Sequence, residues 1–317
     1  MWHFVCRRVL LSILILISLT TLLFFLFELQ PGNPYLNYIK PGMSNEQIEK
    51  VLREKGYYNS VFTKWKTVSF SLLKLDFGYS LKYNLTVRNL IFQRLPNTLT
   101  LSIPALLLGI FLSYLVGIRI AYYSNSIFAK IINFISCVGI CTPTFFVAIF
   151  LIKIFAFDLS LFPISGMHSL TPSNLPLFIS QFHHAVLPIF TLSLLHFFVF
   201  VRYVSAFMLE VKDEVFLQTY EGFGMMKYTA YKKIGSKSIR FKLATMIFLE
   251  VPNLIGGTLI TETIFSWPGI GRLNFEAVLF RDYPLLLGLT TFTSTCVLFG
   301  NLASDILNFY FDKRIGL

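Results

Sequence analysis

Six apolar blocks of roughly 20 residues recur along the chain and restrict the folds that it can adopt. A helix of this length crosses about 30 Å of hydrocarbon, and a spanning helix satisfies its own backbone hydrogen bonds, which hydrocarbon cannot do. The alternating ten-residue strands of an outer-membrane barrel are not found. The sequence therefore predicts an all-α integral membrane protein with six transmembrane helices, in the blocks 9–29, 98–121, 131–157, 184–207, 243–265 and 285–306.

The first apolar block follows Arg7 and Arg8, as the apolar core of a signal peptide would. Its apolar run is about 20 residues, which is longer than an ordinary signal-peptide core, and no small-x-small cleavage site comes after it. We therefore expect this block to be retained as a membrane anchor. Charged residues make up only 14% of the 317 residues, against about 25% in ordinary soluble domains.

The chain has a formal net charge of +11, and the placement of its basic residues indicates topology rather than nucleic-acid binding. With the N-terminus inside, the short inner segments hold fourteen lysines and arginines, whereas the short outer loops hold only Arg272 and Arg281. This asymmetry follows the positive-inside rule, so we predict that both termini are cytoplasmic. The fourteen are Arg7, Arg8, Arg119, Lys130, Arg202, Lys212, Lys227, Lys232, Lys233, Lys237, Arg240, Lys242, Lys313 and Arg314.

The apolar blocks and the charges together predict three parts. The middle part is long enough to be translocated as a domain largely regardless of its charge. The parts are an N-terminal tail with membrane helix 1 (1–29), a small extracytoplasmic segment (30–97), and a five-helix core (98–317) with a cytoplasmic loop at 208–242.

Local patterns predict two finer features. Ser44 and Gln47 match a capping box, which predicts a short amphipathic helix that ends near Gly56. In the second block every fourth residue is small, and such a ladder lets another helix approach closely. The ladder consists of Ala105, Gly109, Ser113, Gly117 and Ala121.

Sequence signatures of catalysis are missing. The chain has no G-x-x-x-x-G-K-[ST] phosphate loop, no H-E-x-x-H and no G-x-S-x-G. Cys137 and Cys141 share a helix face, but two thiols without histidine or carboxylate neighbours make a poor metal site. We therefore expect no catalytic residues, no metal site and no cofactor in this chain.

Polar residues within the fifth block are candidates for a pathway or a gate. Charges at membrane depth are costly and usually face a cavity or a partner. For Glu250 a pathway-lining role and a satisfied hydrogen bond between helices both stay open. A moving gate and a static helix crossing would both use adjacent glycines. The candidates are Glu250, Asn253, Gly256, Gly257 and Glu262.

The loop 210–242 is basic, and apolar and aromatic residues are interleaved with its charges. Gly224 lies at its centre and tolerates positive φ, so we expect a helix–glycine–helix shape. An amphipathic helix that does not span a membrane often docks in a groove of another protein. A helix that lies on the membrane surface is the competing interpretation.

The chain resembles, over nearly its whole length, the permease subunits of ABC importers for dipeptides and oligopeptides. The most specific similarity is the run 262–272, Glu-Thr-Ile-Phe-Ser-Trp-Pro-Gly-Ile-Gly-Arg, followed by Arg-Asp-Tyr-Pro at 281–284. The other similar runs are 30–34 (with Asn33 where the family has Asp), 76–80 (Asp-Phe-Gly-Tyr-Ser), 94–101 (Arg-Leu-Pro-Asn-Thr-Leu-Thr-Leu) and 161–166 (Leu-Phe-Pro-Ile-Ser-Gly).

The resemblance implies that the loop carries a coupling helix, which docks in a groove of a separate ATPase subunit. The family usually has Ala, Ala and Lys where this chain has Tyr220, Gly222 and Phe223. A divergent ATPase partner and reduced coupling are both compatible with this departure. The implied ATPase-coupling residues are Phe216, Leu217, Thr219, Tyr220, Glu221, Gly222, Phe223 and Gly224.

The function implied by the resemblance is that of a transmembrane permease subunit of an ATP-driven importer in the bacterial inner membrane. Its implied partners are a homologous second permease subunit, two ATPase subunits that hold ATP and Mg²⁺, an extracytoplasmic solute-binding protein and membrane lipid. Peptides are the favoured cargo, and nickel or another small solute is the alternative within this importer type. An ion-coupled secondary transporter is the alternative from another class.

Overall fold

The computed structural model describes residues 2–29, 42–54, 56–168 and 176–311, and this part of the chain is almost entirely helical. The similar run at 30–34 and the basic residues Lys313 and Arg314 lie outside the described residues. The helices are α1 (Trp2–Glu28), α2 (Asn45–Glu54), α3 (Val61–Leu73), α4 (Val87–Tyr122), α5 (Ile127–Cys141), α6 (Thr144–Leu151), α7 (Leu177–Val211), α8 (Val215–Gly222), α9 (Lys227–Ala230), α10 (Ser236–Ser238), α11 (Arg240–Glu250), α12 (Asn253–Gly256), α13 (Leu259–Ile264), α14 (Ile270–Leu279) and α15 (Tyr283–Phe311).

Four of these helices, α1, α4, α7 and α15, are long and apolar enough to cross a membrane. Two further candidate spans are bent pairs: α5 meets the stretch Thr144–Asp158 at 107°, and α11 meets the stretch Asn253–Ile264 at 44°. The prediction of an all-helical membrane protein is confirmed, with four to six candidate spans. The breaks fall at Pro143 and Pro252, where the missing N–H and the ring geometry of proline interrupt a helix.

The third and fifth apolar blocks therefore do not form straight helices. A π-helical stretch, Ile152–Asp158, continues α6, and a second one, Tyr231–Gly235, connects α9 with α10. Hydropathy measures apolar length and carries no information on such breaks, which is why both blocks were expected to be single helices.

Helices α4 and α7 pack along each other at the centre of the bundle. All five small residues of the predicted ladder are buried. A Cβ atom at Gly109 would lie 2.6 Å from the Cβ of His196, and one at Gly117 would lie 2.7 Å from the Cβ of Val204. Each contact is closer than side chains tolerate, so the ladder brings the two helices together as the sequence predicted.

Helix α4 begins at Val87, well before the second apolar block. The hydroxyl of Thr86 accepts a hydrogen bond from the backbone N–H of Asn89 and caps the first turn. Val87, Leu90 and Ile91 are buried against α14 and α15. This first section is amphipathic rather than uniformly apolar, so hydropathy alone did not reveal it.

The segment between the first two spans contains the predicted capping box. The backbone N–H of Gln47 donates to the Ser44 hydroxyl (3.3 Å), and the N–H of Ser44 donates to Gln47 Oε1 (3.1 Å). The segment also contains α3, which the sequence analysis missed. The indole N–H of Trp65 donates to Thr21 (3.2 Å), and Lys64 pairs with Glu28 (2.8 Å), so α3 rests against α1.

Candidate functional site

The loop after α7 forms the predicted helix–glycine–helix unit. Helix α8 ends at Gly222, and Gly224 has φ +86°, a left-handed conformation that a residue with a side chain rarely adopts. Its N–H donates to the carbonyl of Glu221 (2.9 Å), and the chain then turns into α9. The position of Gly224 is therefore a conformational requirement of this turn.

The eight predicted coupling residues divide into an inward and an outward group. Leu217 is 3% exposed and belongs to a buried cluster with Met208 and Tyr231, against which Phe216 also packs. Glu221 is partly buried and lies 3.9 Å from Lys227. The exposed residues of the set are Thr219, Tyr220, Gly222, Phe223 and Gly224.

The outward group forms part of an apolar surface that we call the α8 patch: Val215, Tyr220, Phe223 and Met226. Phe223 is 85% exposed and Met226 is 79% exposed. Large apolar side chains on a loop flanked by lysines are typical of a surface that binds another molecule.

The unit under the α8 patch is anchored to the bundle. The hydroxyl of Tyr231 donates to the carbonyl of Met208 on α7 (2.8 Å). Tyr122, at the end of α4, lies with its ring centroid 5.0 Å from that of Tyr228 and 5.2 Å from that of Tyr231. Burial, and then the charge of Asp213, raise the pKa of the Tyr231 hydroxyl. The unit that carries the patch is thus in contact with α4 and α7 through Tyr228 and Tyr231.

Four of the five candidate pathway residues lie together at the break between α11 and α12. The side-chain amide of Asn253 donates to Glu250 Oε2 (3.0 Å). Among the described helices, Asn253, Gly256 and Gly257 are exposed and Glu250 is partly exposed, whereas Pro252, between Glu250 and Asn253, is buried.

Glu262 lies apart from the other four, because it is fully buried. Its carboxylate accepts hydrogen bonds from the hydroxyls of Thr98 (2.7 Å) and Thr258 (2.8 Å) and from the N–H of Arg272 (3.0 Å). Each of the three partners donates to one of the two carboxylate oxygens. The position of Glu262 thus ties α4 to α13 and to the start of α14, and we call this arrangement the Glu262 latch.

The loop 265–269 closes over α4 beside the latch. The indole N–H of Trp267 donates to the carbonyl of Asn97 (2.9 Å), and the Asn97 amide donates to the carbonyl of Pro268 (2.8 Å). The N–H of Gly166 donates to the carbonyl of Phe265 (2.8 Å). Three separate runs that carry the resemblance, 94–101, 161–166 and 262–272, therefore meet in one place.

The remaining two described runs also meet. Asp282 is buried and accepts hydrogen bonds from the Ser80 hydroxyl (2.5 Å) and the N–H of Lys82 (3.1 Å). Ser80 and Lys82 belong to the turn after Gly78, and Asp282 immediately precedes α15. The sequence analysis did not single out Thr98, Thr258, Ser80 or Asp282 as functional residues. Their position within or beside the similar runs was the signal that could have found them.

Comparisons with known proteins match the chain to one described family and to several relatives. Residues 109–317 match the family described as binding-protein-dependent transport system inner membrane component. The chain is 30% identical over 314 residues, 98% of both chains, to the oligopeptide transport system permease protein AppB of Bacillus subtilis. It is also 30% identical over 331 residues, 99% of both chains, to the dipeptide transport system permease protein DppB of Alkalihalophilus pseudofirmus. A putative peptide permease protein of Brucella suis is 28% identical over 318 residues, 99% of both chains.

Proposed function

Because the chain belongs to the family of binding-protein-dependent transport system inner membrane components, we propose that it is the transmembrane permease subunit of an ATP-driven peptide importer. It is a multi-pass protein of the bacterial inner membrane. Two relatives that share 30% identity over nearly the full length are named as permeases for oligopeptides and for dipeptides. These names support peptides, rather than nickel or another small solute, as the cargo class.

In this proposal the chain crosses the membrane six times, with each bent pair counted as one span, and both termini are cytoplasmic. The α8 patch then lies in the cytoplasm, and α2 and α3 lie outside. The three parts are the anchor 1–29, the extracytoplasmic segment 30–97 and the permease core 98–317. The distribution of lysine and arginine supports this orientation.

The proposed importer contains a homologous second permease subunit, two ATPase subunits and an extracytoplasmic solute-binding protein. ATP and Mg²⁺ bind to the ATPase subunits, and this chain is a transport subunit rather than an enzyme. The observation that carries the proposal is the α8 patch, because it exposes Phe223 on a unit that is anchored to the bundle through Tyr231. An exposed aromatic side chain on such a unit suits a groove in a partner.

The eight coupling residues have two roles in this proposal. Phe216 and Leu217 hold α8 on the bundle, as their packing against Tyr231 supports. The exposed residues contact the ATPase, and Gly224 permits the turn that presents them. They are Thr219, Tyr220, Gly222 and Phe223, and the partly buried Glu221 contacts the ATPase beside them.

Transport proceeds by alternating access. ATP draws the two ATPase subunits together, and the α8 patch passes this movement to α4 and α7. The substrate pathway lies between the two permease subunits, and its affinity for substrate must differ between the outward-facing and inward-facing states. Glu250, Asn253, Gly256 and Gly257 line or gate that pathway, and Glu262 contributes to gating by holding the loop 265–269.

Co-purification with the ATPase subunits tests this proposal. We expect the wild-type chain to retain them, and Phe223→Asp to lose at least about 90% of them, because a charge replaces the most exposed anchor of the patch. Phe62→Asp is the matched control, because Phe62 is also exposed but lies on α3, on the other side of the membrane. A further variant, Gly224→Trp, strains the turn itself.

The co-purification results distinguish a docking role of the α8 patch from the alternatives. Loss of the ATPase in Phe223→Asp, with normal retention in Phe62→Asp, supports the α8 patch as the docking surface. Equal retention in both variants refutes that role. If the wild-type chain retains no ATPase, the importer proposal fails and an ion-coupled secondary transporter becomes the leading alternative.

A further inference from the structure

Glu250 carries a charge near the middle of the candidate span formed by α11, α12 and α13. It lies ~15 Å from Arg240 along the helix axis, at 1.5 Å per residue, and the hydrocarbon layer is about 30 Å thick. Among the described residues its one hydrogen bond is from the amide of Asn253 (3.0 Å). A carboxylate at this depth normally has a cation, several donors or water around it.

Lipid is a poor environment for this site. Glu250 is partly exposed and Asn253 is exposed, so their polar atoms reach the open face of the bundle. The imidazole of His196, on α7, is near enough to interact electrostatically with Glu250. A charged side chain facing hydrocarbon would cost several kcal/mol, so this face belongs to a polar cavity or to an interface.

The helix break is held in a fixed position. Pro252 is buried, and a Cβ atom at Gly300 of α15 would lie 2.6 Å from the Pro252 Cγ. Among the described residues, nothing would lie within 4 Å of a Cβ atom at Gly256. The break therefore packs against α15 through Pro252, and the described chain leaves the surface at Gly256 open.

The Glu250 carboxylate is the charged group at this site. One N–H of the Asn253 amide donates to it, which leaves the Asn253 Oδ1 as an acceptor and the second amide N–H as a donor. Glu250 adds the remaining lone pairs of its carboxylate. A site with a negative charge and several acceptors suits a ligand group that has several N–H donors and a positive charge.

We propose that Glu250 and Asn253 form a subsite on the pathway wall that binds the α-ammonium group of a transported peptide. This inference rests on the proposed function, which supplies peptide as the cargo. An α-ammonium group offers three N–H donors and one positive charge, and every linear peptide with a free N-terminus carries one. The subsite therefore recognises the feature that such peptides share and ignores their side chains.

Photocrosslinking in the complete importer tests this proposal. The probes are two tripeptides that differ only in whether a diazirine side chain is on the first or the third residue. We expect the first-residue probe to label residues 249–257 at least about fivefold more than the third-residue probe. Glu250→Gln should lower that labelling about tenfold, the effect of losing a charge-assisted hydrogen bond. Glu54→Gln, an exposed carboxylate on α2, is the matched control.

N-acetylation of a competing peptide provides a second measurement. A competitor with a free amine should reduce the first-residue labelling about tenfold more effectively than its acetylated form. Equal labelling by the two probes, or unchanged labelling in Glu250→Gln, overturns the proposal. Labelling of the second permease subunit by the first-residue probe, in place of residues 249–257, also overturns it, because the first residue of the peptide then lies against another surface. If the proposed function itself is wrong, the wild-type importer takes up neither probe. This result differs from the outcomes that overturn only the subsite.

Discussion

The Ser80 hydroxyl donates a hydrogen bond to Asp282 Oδ2 at 2.5 Å, although 202 positions separate the two residues in the chain. Asp282 also accepts from the N–H of Lys82, and its Oδ1 accepts from the N–H of Leu285 (3.2 Å). One buried carboxylate thus caps α15 and holds the turn that precedes α4. The contact joins the segment before the second span to the last span.

Asp282→Ala should destabilise the protein by about 3 kcal/mol, because it removes a helix cap and leaves buried donors without an acceptor. Thermal unfolding of the purified chain in detergent measures the change. Asp158→Asn is the control, because Asp158 forms an exposed ion pair with Lys153 and such pairs contribute at most about 1 kcal/mol. Equal melting temperatures for Asp282→Ala and the wild type would contradict the structural role of Asp282.

Glu262→Gln should destabilise the protein by about 2–3 kcal/mol. The Glu262 carboxylate accepts all three hydrogen bonds of the Glu262 latch, and an amide in its place can accept with only one of its two terminal atoms. The same unfolding measurement applies, with Glu54→Gln as the exposed control. A variant as stable as the wild type would show that the Glu262 latch accepts an amide, and the charge would then not be required.

Gly271→Ala tests how closely α13 and α14 pack beside the latch. An added Cβ would lie 2.5 Å from the Cα of Leu259, and backbone at that distance has to move. We expect a loss of about 1–3 kcal/mol, as in overpacked cores. Gly222→Ala is the matched control, because no described residue lies within 4 Å of a Cβ there. Similar losses in the two variants would contradict the close packing.

Tyr83 provides a pH-dependent test. Burial, and then the hydrogen bond to Glu276, raise the pKa of its hydroxyl from 10.0 to about 12. The folded chain therefore keeps this proton between pH 10 and 12, where the unfolded chain loses it, so the stability that Tyr83 contributes is complete below pH 10 and falls as the pH rises to 12.

Tyr83→Phe removes this contribution. The difference in unfolding free energy between wild type and variant should be constant up to pH 9 and then decrease towards pH 12. Absorbance at 295 nm follows the ionisation itself. A pH-independent difference over the whole range would show that Tyr83 ionises alike in the folded and unfolded chains.

The sequence predicted the local structure correctly at positions where neighbouring residues determine it. The capping box of Ser44 and Gln47, the left-handed turn at Gly224 and the small-residue packing of α4 follow from residue type and spacing. Helix α3 was missed, because its packing depends on Lys64 and Trp65 meeting α1, and that contact is not local.

The site was predicted only in part, for a related reason. A polar residue at membrane depth predicts a partner or a cavity without stating which. Glu250 and Glu262 look alike in the sequence, yet Glu262 accepts a hydrogen bond from Thr98, 164 positions away. The one hydrogen bond of Glu250 among the described residues comes from its neighbour Asn253. Tertiary packing alone distinguishes a buried latch from an open polar face.

Uptake of a labelled peptide into vesicles that contain the complete importer tests the central claim most directly. The account predicts uptake that requires both ATP and the solute-binding protein, that falls at least about tenfold in Phe223→Asp, and that persists in Phe62→Asp. Uptake driven by a proton or sodium gradient, without ATP and without any effect of Phe223→Asp, would contradict it.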